Sequence, residues 1–177
     1  GPRRRVIQAG AHVGVWPRML AQYFDAVICV EPEPQNWACL LLNTSGASRI
    51  QCLHGMLGEH SALLAGLNVN PHSSGGHHVA TRYDRDYTFV GQYTIDDLAD
   101  GRPVDVLFLD IEGAEWVALH GAVETLTRCH PLLVLEENGC SKRYGIAPGE
   151  LGRWLAQEFG YQEVGQYDED RIFVAEA

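Results

Sequence analysis

Short apolar runs alternate along the chain with segments whose apolar residues recur at helical spacing. This alternation predicts an α/β fold, a three-layer sandwich in which helices cover both faces of a seven-stranded, mostly parallel sheet. The predicted strands are 5–9, 26–30, 49–54, 104–109, 131–135, 161–167 and 171–175. The predicted helices are 15–24, 35–43, 94–99, 114–128 and 148–159.

The last two strands are expected to form a C-terminal antiparallel hairpin, because only residues 168–170 separate them. Between the third and fourth strands the pattern breaks down, and residues 68–78 are polar, Gly-rich and without helical period. A long irregular stretch inside a compact domain is commonly a lid or a substrate loop. We therefore predict a single domain over 1–177, with 59–93 as a substrate loop or lid insertion that adds one or two short edge strands at 79–93.

Three carboxylates follow the apolar run 104–109, namely Asp110, Glu112 and Glu115. Ligands of open α/β sheets bind at the carboxyl ends of the strands. Carboxylates at that edge are costly unless they face water, a cation or substrate hydroxyls. Asp110 ends the strand itself and is the stronger functional candidate, whereas Glu115 suits the positive end of the following helix.

The first strand leads into Gln8-Ala-Gly-Ala-His-Val-Gly14, a turn at the beginning of a helix. Gly10 and Gly14 permit a tight turn and a close approach of a ligand to the backbone. Glu31 follows the second strand, 17 residues after Gly14, where a carboxylate can accept hydrogen bonds from both ribose hydroxyls of a nucleoside. Together with the loop 55–58 after the third strand, these residues predict a nucleoside site.

Charge and composition narrow the possible partners. With 13 basic and 23 acidic residues the formal net charge is −10, which makes a nucleic-acid partner unlikely. The run Arg3-Arg4-Arg5 is a local exception, expected to be a solvated start of the first strand.

No segment is long and apolar enough to predict a membrane span. Five cysteines without C-x-x-C spacing favour reduced thiols in a cytoplasmic protein and argue against a zinc site.

Three blocks of sequence resemble the FkbM-type methyltransferases. They are V-I-Q-A-G-A-H-V-G (6–14), V-I-C-V-E-P-E-P (27–34) with Asn43, and V-D-V-L-F-L-D-I-E-G-A-E (104–115). The resemblance continues through 94–98, 132–136 and 160–174, so that 59–93 is the least similar part. It implies a Rossmann-like class I methyltransferase fold, S-adenosylmethionine as the cofactor, and O-methylation of a hydroxyl on a sugar or another small polar metabolite.

The resemblance also implies which residues bind the cofactor. The glycine loop, with Gly10, Ala11, His12 and Gly14, would hold the amino-acid end of the cofactor. Glu31 would hold the ribose, and Met56 or Leu57 would lie beside the adenine. Asp110 would lie near the methionine amine and the methyl group. The implied cofactor-binding set is Gln8, Gly10, Ala11, His12, Gly14, Glu31, Pro32, Met56, Leu57 and Asp110. Gln8 stands where the family usually has Asp and His12 where it usually has Asn, and both keep hydrogen-bonding capacity.

The candidate catalytic residues are Asp110, Glu112 and Glu136, which follow neighbouring predicted strands. Any of them could take the proton of an acceptor hydroxyl. The same carboxylates suit Mg²⁺ or Ca²⁺, so a divalent cation is possible, although carboxylates near a cationic sulfonium do not require one. His77 and His78, in the Gly-rich stretch, are candidates for contact with the substrate and for an alternative base.

Two other functions fit part of this pattern. A nicotinamide-dependent oxidoreductase would also use a glycine loop and a strand-end carboxylate such as Glu31, although G-x-G-x-x-G is missing. A non-catalytic nucleoside-binding domain would explain the unusual Gln8 and His12. The small-molecule acceptor and the oligomeric state are left open by the sequence.

Overall fold

In the computed structural model the described residues are 3–81 and 87–176, so 82–86 of the predicted substrate loop lie outside them. The described part contains eleven strands: β1 (Arg5–Ala9), β2 (Ala26–Glu31), β3 (Ile50–His54), β4 (Met56–Leu57), β5 (Ala62–Asn68), β6 (His78–Val79), β7 (Thr88–Tyr93), β8 (Val106–Leu109), β9 (Leu132–Glu136), β10 (Tyr161–Tyr167) and β11 (Asp170–Ala175). The α-helices of the same part are α1 (Val15–Leu20), α2 (Pro34–Thr44), α3 (Ile95–Ala99), α4 (Glu115–His120), α5 (Val123–Cys129) and α6 (Glu150–Phe159). A 3₁₀ helix spans Cys140–Tyr144.

Seven strands form the main sheet in the order β10-β11-β9-β8-β1-β2-β3. Strand β11 is antiparallel to both β9 and β10, whereas the other neighbouring pairs are parallel. The predicted seven-stranded sheet with its C-terminal hairpin is therefore confirmed. The chain proceeds outward from β1 to β3 on one side and returns to β8 on the other. The carboxyl ends of β1 and β8 thus form the switch point at which such sheets bind ligands.

Helices cover both faces of this sheet, as the three-layer prediction requires. On one face, Leu40 of α2 packs with Cys29 of β2. On the other, Ile95, Leu119 and Leu155 of α3, α4 and α6 belong to the main hydrophobic cluster. Side chains alternate between the faces of each strand, which lets one buried strand supply both clusters.

The short edge strands expected at 79–93 are present as β7 and part of β6, whereas the strand β5 at 62–68 was not predicted. The described part of 59–93 contributes to a second sheet of four strands, in the order β4-β7-β5-β6. The expected loop 55–58 also contributes, because β4 pairs in parallel with β7. Met56, Leu67 and Val90 form the small core of this sheet. What remains irregular is the connection 69–77 between β5 and β6, which is named the strap below.

The single helix predicted at 114–128 is in fact two helices, α4 and α5, separated at Gly121 and Ala122. The Gly121 carbonyl accepts a hydrogen bond from Asp96 N (2.9 Å). A side chain at Gly121 would place its Cβ 2.2 Å from the Gly58 carbonyl oxygen. A new helix begins there because Asp96 Oδ1 accepts from the backbone N–H of Thr125 (2.8 Å), within the first turn of α5. The first helix, α1, is also shorter than predicted and ends at Leu20.

The run Arg3-Arg4-Arg5 divides into two exposed residues and one buried residue. Arg4 pairs with Asp105, with 2.5 Å between Nη2 and Oδ1. Arg5 is only 9% exposed, so the expectation of a solvated side chain is wrong for it. As the first residue of β1, Arg5 shares a face with Ile7 and points towards α3, where its Nη1 donates to the Ala99 carbonyl (3.0 Å).

Two further expectations concern cysteines and membranes. All five cysteines are free thiols, and Cys29 is buried while Cys39 is exposed. Within 3–81 and 87–176, none of the helices has the length and hydropathy needed to cross a bilayer.

Candidate active site

A cavity of about 420 Å³ opens at the carboxyl ends of β1, β2 and β8. Its volume is in the range of small-molecule sites. Most residues predicted to bind cofactor or substrate, and all predicted catalytic residues, line it. These are Gly10, Ala11, His12, Glu31, Pro32, Met56, Leu57, His77, His78, Asp110, Glu112 and Glu136.

Gln8 and Gly14, which were also predicted to contact the cofactor, do not line the cavity. Gln8 is fully buried, and its Nε2 donates to the Ala9 carbonyl (3.1 Å) beneath the loop. Gly14 has φ 94°, and a Cβ there would lie 2.9 Å from Leu40 Cδ1. Both residues therefore support the glycine loop from outside the cavity wall.

The backbone of the glycine loop is in close contact with Asp110, which directly follows β8. Asp110 N donates to the Ala9 carbonyl (3.1 Å). Gly10 has φ 77°, and a Cβ there would lie 1.8 Å from the Asp110 carbonyl oxygen. No side chain fits at that distance, so only glycine allows the two backbones to approach this closely. The contact brings the cofactor loop and the predicted catalytic block to one side of the cavity.

Three hydrogen bonds hold the Glu31 side chain in the cavity wall. Its Oε2 accepts from His12 N (2.8 Å), and its Oε1 accepts from Glu33 N (3.0 Å) and Asn36 Nδ2 (3.4 Å). The side chain is buried, and burial raises the pKa of the Glu31 carboxyl while these donors pull it back. The carboxylate thus has a fixed position at the end of β2.

Two polar residues that the sequence analysis missed, Asn36 and Ser74, tie the strap to this wall. Asn36 Nδ2 donates to the Ser74 carbonyl (2.7 Å), and His12 Nε2 lies 3.0 Å from Ser74 Oγ. The strap therefore crosses the cavity on the side of Glu31. The position of Asn36, near the start of the helix that follows Glu31, is a signal that could have identified it.

Asp110 and Glu136 face each other across the ends of β8 and β9. Burial, followed by the charge of Asp110, raises the pKa of Glu136 to about 8. Burial also raises the pKa of Asp110, while its hydrogen bond with Glu136 acts in the opposite direction. Two carboxyl groups that interact in this way titrate as a pair. Their interaction favours the protonated form of Glu136 and the ionised form of Asp110.

Glu112 and Glu115 have different environments although they are three residues apart. Glu112 has φ 58°, an uncommon conformation for a non-glycine residue, and its Oε2 accepts from Cys140 Sγ (3.5 Å). Glu115 begins α4 as predicted, but it is 2% exposed and accepts from Ile111 N (2.9 Å). Burial raises the pKa of Glu115 to about 7. Glu112 therefore faces the cavity, whereas Glu115 holds the backbone of the loop that carries it.

The two predicted histidines lie at the end of the strap and at the start of β6. Both His77 and His78 line the cavity. His77 Nδ1 accepts a hydrogen bond from Asn70 N (3.1 Å), so the ring proton of a neutral His77 lies on Nε2. Within 3–81 and 87–176, no group of three His, Cys, Asp or Glu side chains is placed to hold a metal ion, so Asp110, Glu112 and Glu136 do not form such a group. The described lining of the cavity contains neither Lys nor Arg.

Comparison with known proteins identifies the family. A family model described as the methyltransferase FkbM domain matches residues 8–163. Among solved structures, methyltransferase FkbM from Methylobacillus flagellatus KT has a TM-score of 0.66 at 18% identity, over 97% of this chain and 43% of that one. An O-methyltransferase from Bacillus cereus in complex with SAH gives 0.58 at 12% identity, over 98% and 74% of the two chains.

Fibrillarin from Aeropyrum pernix, solved with natively bound S-adenosyl-L-methionine, has a TM-score of 0.52 at 12% identity, over 98% of this chain and 66% of that one. These likenesses show the class I methyltransferase fold, and this chain spans less than half the length of the Methylobacillus protein. No curated protein matches the sequence. The family match extends over nearly the whole chain, and the chain therefore belongs to the FkbM methyltransferase family, as the three sequence blocks predict.

Proposed function

We propose that this chain is an S-adenosylmethionine-dependent methyltransferase that methylates a hydroxyl oxygen of a small polar acceptor such as a sugar. The observation that carries the proposal is that one cavity joins the fixed carboxylate of Glu31 to the Asp110–Glu136 pair. Membership of the FkbM family favours methyl transfer over the oxidoreductase alternative.

The cavity wall fits S-adenosylmethionine along its length. Glu31 Oε2 accepts one hydrogen bond, from His12, and so keeps a lone pair for a ribose hydroxyl. Met56 and Leu57 are buried apolar residues that can form a wall for the adenine ring. The negative charge of Asp110 suits the ammonium group at the methionine end.

When bound, the cofactor supplies a methyl group on a positively charged sulfur. The protein must then hold the acceptor oxygen in line, exclude water and take the acceptor proton. The raised pKa of Glu136 favours its protonated form, so we assign to Glu136 the positioning of Asp110. Glu112, which lines the same cavity, is the base that we assign to the acceptor hydroxyl, and His77 is the alternative.

The test is a screen of sugars and other polyols with S-adenosylmethionine, read as a mass increase of one methyl group. We expect Glu112→Gln to lower kcat with little change in affinity for S-adenosylhomocysteine, and Asp110→Asn to reduce both. Glu158→Gln, an exposed change on α6, is the matched control. Cofactor binding without turnover on any acceptor would favour a nucleoside-binding domain, and binding of NAD without response to either sulfur nucleoside would favour an oxidoreductase.

A further inference from the structure

A second, smaller groove lies at the opposite end of the main sheet, by the amino ends of β1, β2 and β3. It has a volume of about 180 Å³. Arginines from three separate parts of the chain line it: Arg5 at the start of β1, Arg49 before β3, and Arg102 after α3. In a chain with a net charge of −10, this convergence of cations is a local exception.

Arg5 is the buried member of this group. Its Nη1 donates a hydrogen bond to the Ala99 carbonyl. Its buried Nε has no hydrogen-bond partner among residues 3–81 and 87–176. A buried guanidinium donor without an acceptor costs free energy. The side chain is nine-tenths buried and the residue lines the groove, so an anion placed there would lie beside its positive charge.

The acidic residues nearby do not neutralise the groove. Asp105 is engaged by Arg4, through Nη2 at 2.5 Å. Asp100 lies 3.4 Å from Arg102 in an exposed pair, and such pairs contribute little. Asp25 is the carboxylate that lines the groove with the three arginines. Three arginines thus face two carboxylates, Asp25 and Asp100, and one positive charge remains in excess.

The pKa of Arg5 reflects its burial and its charged neighbours. Burial, followed by repulsion from Arg102, lowers the pKa of the Arg5 guanidinium, and Asp100 raises it. An arginine nevertheless stays protonated in proteins. The groove therefore contains the permanent positive charge of Arg5, which Arg102 repels and whose guanidinium is not fully hydrogen-bonded.

We propose that the groove of Arg5, Arg49 and Arg102 binds a phosphate group, as inorganic phosphate or as the phosphate of a small monoester. Planar guanidinium donors match phosphate oxygens in geometry, and a phosphate anion offsets the excess positive charge. The volume admits one such group rather than a whole nucleotide, because cofactor-sized ligands need several hundred Å³. The site is separate from the cofactor cavity and shares no lining residue with it.

Calorimetric titration of the full chain with inorganic phosphate and with glycerol phosphate, at constant ionic strength set with chloride, tests this proposal. We expect saturable binding of one phosphate group per chain. The double variant R49Q/R102Q should lower the affinity by roughly tenfold or more, since hydrogen bonds to charged groups are lost. Tighter binding of glycerol phosphate than of inorganic phosphate would identify a monoester as the ligand, and the reverse order would identify the free anion.

The double variant R18Q/R153Q, which removes two exposed arginines outside the groove, makes the same change in net charge and should bind phosphate as the unaltered chain does. Because both arginines replaced in R49Q/R102Q are exposed, that variant is expected to fold, which circular dichroism verifies. The proposal is overturned if no saturable binding occurs with either probe, or if both double variants weaken binding equally.

Discussion

Glu115→Gln should make the protein more stable than the unaltered chain at alkaline pH and change little at pH 4. Burial raises the pKa of the Glu115 carboxyl from 4.5 to about 7 in the folded protein. Between these two values the unfolded chain releases the proton and the folded chain retains it, so stability falls as pH rises through this window. A shift of this size corresponds to about 3 kcal/mol in the free energy of unfolding.

The glutamine does not ionise, and its amide oxygen can still accept the hydrogen bond from Ile111 N. The difference in unfolding free energy between variant and unaltered chain should therefore grow by about 3 kcal/mol from pH 4 to pH 9. Urea unfolding at one-unit pH intervals measures it, with Glu158→Gln on the exposed face of α6 as the control that should show a flat difference. A difference for Glu115→Gln that is also independent of pH would refute the reasoning.

Two further predictions concern the walls of the cavity. Gly10→Ala should lower the free energy of unfolding by about 3 kcal/mol or more, because its Cβ would meet the Asp110 carbonyl oxygen and its φ is positive. Gly46→Ala, at φ 81° with open space around it, should cost only about 1 kcal/mol in the same urea titration, and equal costs would contradict the clash. His12→Ala removes the side-chain contact with Ser74 and should speed hydrogen exchange in the strap about fivefold. An unchanged exchange rate would mean that this contact does not hold the strap.

Much of the main sheet could be predicted because its strands are buried on both faces. The run 104–109 and the run 131–135 are almost entirely apolar, and such runs are typical of parallel strands under helices. Strand β5 of the second sheet could not be predicted in the same way. Leu63 and Leu64 on β5 are 94% and 67% exposed, and the pairing of β5 with β7 shifts register between Ala62 and Ala65. The bulge removes the simple alternation that identifies a strand.

The broken helix has a different cause. Residues 114–128 keep their apolar residues on one face, so a helical pattern predicts one element. The break depends on contacts between distant parts of the chain, namely the close approach of Gly121 to Gly58 and the capping of α5 by Asp96. Neither contact can be predicted from the sequence of 114–128 alone.

The residues of the candidate site also divide into those that the sequence predicts and those that it does not. Glu31 and Asp110 were predictable because each ends a strand of the parallel sheet, and strand ends meet at the ligand-binding edge. Ser74 was missed because its place at the cavity depends on how the strap returns over the glycine loop. The burial of Arg5 and Glu115 was also missed, since a charged residue next to a strand or helix end is ordinarily solvated.

Isothermal titration calorimetry with S-adenosylhomocysteine tests most directly whether the cavity binds S-adenosylmethionine with Glu31 on its ribose. The unaltered chain should bind one molecule, and Glu31→Gln should weaken that binding by about tenfold or more because charge-assisted hydrogen bonds are lost. The exposed control Glu158→Gln should bind as the unaltered chain does. No binding by the unaltered chain, or binding that is unaffected by Glu31→Gln, would contradict the account.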